Sequence, residues 1–381
     1  MKKVVFVSNY YNHHQSAFAK EMDRLLNHNF FFIETAALTE DRKKMGWGGE
    51  KKPDYVLSIY DNKYLVEHAQ QLIFDADVVI WGSCPFHLIR RRLKAGKLTF
   101  AYSERIFKGE KSALSFLRKI KYYIKLKPYQ KNHYLLCASA YAAKDYNDIG
   151  LFVDKAYKWG YFPVVKQYED IEKLVKNKKE NSIVWVARLI DWKHPEMAVE
   201  VGKRLKEAGY QFQLNIIGIG VLEESLKELI EKENLQDYIH MLGSMSPEQV
   251  RLYMEQSEIF LFTSDSNEGW GAVLNESMNS ACAIVAHKAI GSVPFVVQDG
   301  KNGLVYENGN IDQLYDQVVY LLNHDEERKA MQKEAHKTLC QTWNAETAAT
   351  RFLKTVDGLL RGEEFHIWKN GPMSVQEGKS I

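Results

Sequence analysis

Two glutamates, Glu268 and Glu276, stand eight positions apart in SDSNEGWGAVLNES, residues 264–277. A carboxylate accepts hydrogen bonds from hydroxyl groups, and a charged acceptor strengthens such a bond to about 1.5–3 kcal/mol. The pair therefore suits a polyhydroxylated ligand such as a hexose or a ribose. Gly269 and Gly271, either side of Trp270, let backbone pass close to that ligand. Ala272 and Val273 open the stretch AVLNESMNSA, whose spacing predicts a helix, and the first N–H groups of a helix suit phosphate oxygens. A turn glutamate followed by a solvated helix glutamate gives the same spacing, so the pair gains meaning only from its surroundings.

Three further segments supply them. In ARLIDWKHPE, Arg188 and Lys193 lie five residues apart across a turn, a guanidinium fork and a point charge able to converge on one diphosphate. In IIGIG, Gly218 and Gly220 permit close approach to a nucleotide, or simply make a tight turn. In HKAIGSVPF, Gly291 and Ser292 offer backbone N–H donors for a diphosphate.

Each segment follows an apolar run that reads as a strand. In the second half SIVWVARL, QFQLNIIGIG, YIHMLGS, EIFLFTS, CAIVAHK and GLVYENGN are strands, and helices lie between them. PEMAVEVGKRLKEAG has Pro195 near its start and Gly209 past its end. SPEQVRLYMEQS opens on Ser246 as N-cap. The first half repeats the alternation with KVVFVSN, the helical QSAFAKEMDRLL, DADVVIWGS, LTFAYS, YLLCAS and the helical AYAAKDYNDIG. Strand–helix alternation predicts parallel sheets covered on both faces, with ligands at the carboxyl ends of the strands. The expectation is two domains, 1–164 and 181–343, joined by a Lys/Glu-rich linker near 165–180 and followed by a loosely held tail, 363–381.

With 381 residues and a formal net charge of +2, the chain has no global signature of nucleic-acid binding. Its four cysteines, Cys84, Cys137, Cys282 and Cys340, have neither metal nor redox spacing. The apolar run after Met1 ends at Asn9, too short for a signal h-region, and no stretch approaches the ~20 apolar residues of a membrane span. A cytoplasmic location is the expectation. Charge is uneven: residues 90–131 hold fourteen Lys or Arg against Glu104 and Glu110, interleaved with Phe116, Leu117, Ile120, Tyr122 and Tyr123. That pattern suits peripheral contact with an anionic membrane surface; a solvated basic face is the plainer reading. Asp75–Asp77 resembles a metal-binding D-x-D, but it precedes its strand and reads as a polar strand start; no metal site is expected.

In order, ARLIDWKHPE, IIGIG, MLGSMSPEQVRLYMEQSEIFLFTSDSNEGWGAVLNESM, AIVAHKAIGSVPFVVQDGKNGLV and TWNAETAATRFLKTVDGLL resemble the family 4 retaining, metal-independent glycosyltransferases with their E-x7-E motif. The resemblance covers most of 181–362. It implies a GT-B fold, two Rossmann-like α/β domains with a central cleft: an acceptor-binding first domain completed by a helix at 344–362, and a nucleotide-sugar-binding second domain. It implies that Glu268 contacts the donor hexose, that Glu276 contacts the ribose, and that Arg188 and Lys193 grip the diphosphate. It further implies hexose transfer from a nucleoside diphosphate sugar, UDP-sugar favoured, to a glycan or lipid-linked acceptor in cell-surface polysaccharide synthesis, with no cofactor. A non-catalytic nucleotide-sugar-binding regulator and a GT-B epimerase remain alternatives.

The chain departs from the pattern in places. Where the family often has a glycine-rich loop, this chain has SNYYNHHQSAF, placing Asn9, His13, His14 and Gln15 on the acceptor side. His13 is either a catalytic group or a structural or capping histidine. Where the family often has a histidine near the reacting carbon, Ser103, Glu104 and Arg105 stand instead. Glu104 either accepts the acceptor proton or pairs with Arg105. Phe295 replaces the glutamate expected after the diphosphate loop.

Overall fold

The computed structural model describes residues 2–39, 51–108, 113–307, 309–362 and 368–378. They divide into two units, Met1–Val164 with Trp343–Ile381, and Val165–Thr342.

In the first unit the strands are β1 (Val4–Ser8), β2 (Phe30–Glu34), β3 (Val56–Ser58), β4 (Val78–Trp81), β5 (Thr99–Ser103), β6 (His133–Cys137) and β7 (Ala156–Lys158). They form one parallel sheet in the order β3-β2-β1-β4-β5-β6-β7. Every residue of β1 and β4 is buried, as a sheet covered on both faces requires. The order reverses between β1 and β4, and such a switch point opens a crevice at the carboxyl ends. Helix His13–Leu25 follows β1, capped by the Asn12 side chain and burying Phe18, Ala19 and Met22. Helix Ala345–Arg361 also belongs to this unit; its Phe352 ring lies 5.0 Å from Phe100 and 5.9 Å from Trp159.

The part of the predicted tail at 368–378 is not loose. Met373 N–H donates to the Lys158 carbonyl at 2.8 Å, Lys158 N–H to Ser374 at 2.8 Å and Gln376 N–H to Ala156 at 2.9 Å. β7 is the sheet's edge strand, and its open row of backbone groups is an available partner; a stretch this short and polar gives no strand signal of its own. Residues 363–367 and 379–381 lie outside the described residues.

In the second unit the strands are β8 (Ser182–Val186), β9 (Gln213–Ile217), β10 (Ile239–Met241), β11 (Ile259–Phe262), β12 (Ala283–His287) and β13 (Leu304–Tyr306). They run parallel in the order β10-β9-β8-β11-β12-β13, with the reversal between β8 and β11. Trp185, Leu214, Ile216 and Leu261 lie in the buried core beneath helices Pro195–Glu207 and Ile311–Asn323. Ser246 and Gln249 form a reciprocal capping box at helix Pro247–Gln256.

Residues 165–180 are part of this unit rather than a linker. Helix Ile171–Lys176 is capped by Asp170. Buried Lys178 donates to the carbonyls of Met254, Glu255, Ser257 and Ser280, tying off the ends of helices Pro247–Gln256 and Val273–Asn279. Composition reads lysine as solvent-exposed, and a lysine satisfied by carbonyls leaves no contrary sign in the sequence.

Candidate functional site

The switch point of the second unit brings the β8 and β11 loops together. Beyond β8 the chain turns through Asp191–Lys193, and His194 takes a left-handed φ of 49° before Pro195 starts the next helix. Beyond β11, Asp265 N–H donates to the Trp192 carbonyl at 3.0 Å, and Thr263 Oγ1 donates to the Lys193 carbonyl at 2.7 Å. Trp185 Nε1 in turn donates to Thr263 Oγ1 at 2.8 Å. The two loops are thus pinned through backbone and core, and the Lys193 ammonium reaches the Glu268 carboxylate directly. Lys193 and Glu268 are each only 8% exposed. Ser264 Oγ also donates to Glu268 Oε2, at 3.2 Å. His287, at the end of β12, bonds the Ser264 carbonyl through Nδ1 at 2.7 Å, and burial lowers its pKa.

Arg188 lies on the same loop but in solvent. Its guanidinium carbon is 5.7 Å from the centre of the Trp192 ring, and Lys193 Nζ is 4.2 Å from the same ring. Both cations thus lie within reach of one indole.

The glycines of the β9 loop have a structural reason that the sequence alone did not give. A Cβ on Gly218 would sit 1.8 Å from the Ala187 carbonyl oxygen, and one on Gly220 would sit 2.2 Å from that of Leu189. Their close approach is to the loop that carries Arg188. Gly271, with φ +82°, has a comparable constraint: a Cβ there would lie 2.3 Å from Phe262 Cζ.

Gly291 N–H donates to the Glu268 carbonyl at 3.3 Å. This bond makes it a brace for the Glu268 loop. Ser292 is fully buried at the start of the short helix Val293–Val296, and its hydroxyl has no hydrogen-bond partner among the described residues. Trp270 is fully buried, its indole N–H donating to Asn275 Oδ1 at 2.9 Å. Phe295 packs 6.4 Å from the Trp270 ring, so the departure at 295 forms an apolar wall. Gly269 and Ala272 complete the turn into helix Val273–Asn279, which carries Glu276. The Glu276 carboxyl is partly buried; burial raises its pKa, and the positive charge of Arg251 opposes that rise.

In the first unit, the candidates gather at the carboxyl ends of β1 and β5. The Asn9 carbonyl accepts Thr35 and Ala36 N–H at 2.9 and 2.7 Å. Asn12, not a histidine, caps the helix, accepting His14 N–H at 2.9 Å. His13 is exposed, 3.9 Å from the His14 ring. The His14 ring stacks on Tyr161, centroids 5.1 Å apart and planes within 6°. Gln15 is buried. Ser103 Oγ donates to the Glu104 carbonyl at 2.7 Å.

Glu104 does not pair with Arg105. Its carboxylate accepts Tyr161 Oη at 2.6 Å and Lys108 Nζ at 2.8 Å, while Arg105 turns to Asp145 at 3.5 Å and lies over the Tyr141 ring. Asp145 already fixes the Ile106 and Phe107 amides at 3.0 Å each, and so draws Arg105 inward. Tyr161, joining His14 to Glu104, was not singled out in the sequence; its position just after the last strand of the unit was the available signal. Asp77 accepts the Lys3 amide at 2.7 Å at the start of β4, a structural use of the D-x-D.

The basic stretch is less exposed than its charge count suggested. Arg92 is fully buried and donates to the carbonyls of Ile73, Ala76, Asp77 and Leu98. Lys97 reaches the Phe74 carbonyl at 2.7 Å, and Lys125 folds over Phe86, 4.5 Å from its ring centre. Residues 109–112 lie outside the described residues. No described helix is long and apolar enough to cross a membrane.

Comparison with known proteins places this geometry in context. Residues 166–338 match the family model described as glycosyl transferases group 1. The putative colanic acid biosynthesis glycosyltransferase WcaL of Escherichia coli K12 is 34% identical over 132 residues, 33% of this chain and 32% of that protein. An N-acetylgalactosamine-N,N'-diacetylbacillosaminyl-diphospho-undecaprenol 4-alpha-N-acetylgalactosaminyltransferase of Campylobacter jejuni is 30% identical over 181 residues, 47% of each chain. The chain thus matches less than half the length of these curated relatives. The crystal structure of Anabaena Alr3699/HepE in complex with UDP aligns with a TM-score of 0.68 at 16% identity, over 93% of this chain and all of that one. The fold, two parallel α/β units, is that of the GT-B glycosyltransferases.

Proposed function

We propose that this protein is a retaining, metal-independent hexosyltransferase of the family 4 type. It moves a sugar from a nucleoside diphosphate donor, UDP-sugar favoured, to a glycan or lipid-linked acceptor at an anionic membrane face, in cell-surface polysaccharide synthesis. The observation that carries this reading is the meeting of Lys193 with Glu268 at the switch point of the second unit, with Arg188 beside them on the same loop.

Glycosyl transfer breaks the bond between the anomeric carbon and the diphosphate. Positive charge develops at the sugar, as in glycoside hydrolysis, and negative charge on the leaving phosphate. Arg188 and Lys193 meet the leaving charge. An ammonium has three N–H donors, so Lys193 can hold Glu268 and a phosphate oxygen together. That contact orients the Glu268 carboxylate toward the hexose hydroxyls next to the breaking bond. Glu276 accepts from the ribose hydroxyls once ionised. No residue is assigned as nucleophile: in a retaining transfer with same-face attack, the leaving phosphate helps to remove the acceptor proton. The relatives support the class of reaction; WcaL is described as acting in colanic acid biosynthesis and the Campylobacter protein as acting on a diphospho-undecaprenol-linked sugar.

The test is transfer from a panel of UDP-, GDP- and ADP-sugars to lipid-diphosphate and oligosaccharide acceptors, with the anomeric configuration read by NMR and the reaction repeated in EDTA. Retained configuration and EDTA-resistant turnover are expected. An inverted product refutes the retaining assignment, and loss of turnover in EDTA refutes metal independence.

A further inference from the structure

Helix Ala113–Leu126 presents two faces of different character. Toward the first unit it turns Leu126, fully buried, Tyr122, whose ring meets Tyr146 edge-on at 6.0 Å, and the folded-back Lys125. These residues recur at helical spacing and anchor the helix to the sheet. The opposite face carries Phe116 (63% exposed), Leu117 (61%), Ile120 (40%), Tyr123 (43%) and Ile124 (68%). They too fall at helical spacing, so they form one continuous stripe rather than scattered exposures. Elsewhere among the described residues, large exposed hydrophobics stand singly along the chain apart from the pair Ile219 and Val221. An apolar stripe of this kind marks a contact surface.

Charge selects the occupant. Lys121 is exposed beside the stripe, and Lys127 and Lys131 are exposed just beyond the helix end, while Arg118 falls on the anchoring face and donates to the Ile106 carbonyl at 3.5 Å. Arg90 joins this edge through Tyr129 Oη at 3.4 Å. No acidic residue falls between Ala113 and Lys131. A second copy of this chain would bring one basic rim against another, which opposes self-association. A helix lying in a bilayer interface wants an apolar face at the acyl boundary and cations at the headgroups. Fourteen residues make a helix about 21 Å long, enough to lie along the interface and too short to span the core.

We infer that the Phe116–Ile124 stripe is a membrane-docking face, seated in the headgroup region of an anionic bilayer with Lys121, Lys127 and Lys131 on its phosphates. This deepens the membrane part of the proposed function and rests on that part alone, not on transfer.

Co-sedimentation of the full chain with vesicles tests it without donor or acceptor. Binding is expected to phosphatidylglycerol mixed into phosphatidylcholine at low salt. It is expected to be weak on phosphatidylcholine alone and weak at ~1 M salt, where screening acts over about 3 Å. Phe116→Ser with Ile124→Ser should lower partitioning on the order of 10²-fold, since two exposed apolar side chains lose their burial in the bilayer. Lys121→Glu with Lys131→Glu leaves the stripe intact and should lower it at least about tenfold, at roughly fivefold per charge removed. An unchanged melting temperature for either variant shows that the fold survives. Failure of the wild-type chain to bind anionic vesicles at low salt overturns the inference. So does equal binding by both variants, or a solution dimer that the serine substitutions dissociate. None of these results bears on whether transfer occurs.

Discussion

Lys193 and Glu268 lie 75 positions apart in the chain and form a direct ion pair where β8 and β11 end. The pair is held from both sides: Thr263 Oγ1 bonds the Lys193 carbonyl, and Gly291 N–H and Ser264 Oγ bond Glu268. Such bracing is what a site needs if its charges are to be in place before a ligand arrives.

The pair should behave as a unit. Removing one member of a well-buried pair strands the other charge, at a cost of about 3–5 kcal/mol in fully buried cases. Lys193→Met and Glu268→Gln should each lower the melting temperature, and the double variant should melt no lower than the worse single one. Transfer should fall on the order of 10²–10³ in each single variant and far less than multiplicatively in the double. Melting curves and initial rates on the four proteins check this; strictly additive losses would refute the coupling.

Gly271 should not tolerate a side chain. Its φ of +82° disfavours L residues, and an added Cβ would meet Phe262 Cζ at 2.3 Å. Gly271→Ala should cost about 2–3 kcal/mol, and adding Phe262→Leu should recover part of it by removing the ring atoms in the way. Denaturant unfolding of the three proteins decides; no recovery would place the strain elsewhere.

Donor affinity should depend on Glu276 ionisation. Its carboxyl has a raised pKa because of burial, and the ionised form accepts more strongly from the ribose hydroxyls. Affinity should therefore weaken as pH falls through that raised value, starting above the ordinary carboxylate range, while Glu276→Gln should show weak binding with no such slope. Titrations between neutral and mildly acid pH measure it.

His133 predicts an acid limit on the first unit. Trp81 Nε1 donates to its Nε2 at 3.0 Å, and its Nδ1 faces the Tyr129 carbonyl at 3.1 Å, so the neutral Nδ1–H tautomer satisfies both. Burial pushes its pKa down to about 3. Below the unfolded value of about 6.5 the unfolded chain takes up a proton that the folded chain refuses, so stability is full above that pH and lost as pH falls. The contribution amounts to about 2 kcal/mol of lost stability at pH 5. His133→Gln should be less stable at neutral pH but show a flatter decline between pH 7 and 5; parallel declines would contradict the assignment.

The second unit was more legible in the sequence than the first because its apolar runs end in loops that carry charged residues and glycines. Arg188, Lys193 and Glu268 each follow such a run, so topology alone gathers them. In the first unit β2 and the three-residue β3 escaped notice. Their loss hid Glu34, a buried carboxylate that accepts the Tyr11 amide at 2.7 Å and Ser58 Oγ at 2.6 Å. Side-chain choices made by distant partners were also invisible. Glu104 takes Tyr161, 57 positions away, instead of its neighbour Arg105. Composition misled at Arg92 and Lys178, where backbone carbonyls at the ends of elements make burial of a cation possible.

Arg188 gives the most direct test of the donor site, because it is exposed and its loss should leave the fold intact. Calorimetric titration of UDP-, GDP- and ADP-sugars into the wild-type chain and Arg188→Ala is the measurement. One nucleoside diphosphate sugar should bind the wild type, and the variant should bind it at least about tenfold more weakly at an unchanged melting temperature, as loss of a charge-assisted contact implies. Absence of binding by every donor, or equal affinity in the two proteins, would contradict the placement of a sugar nucleotide at this switch point.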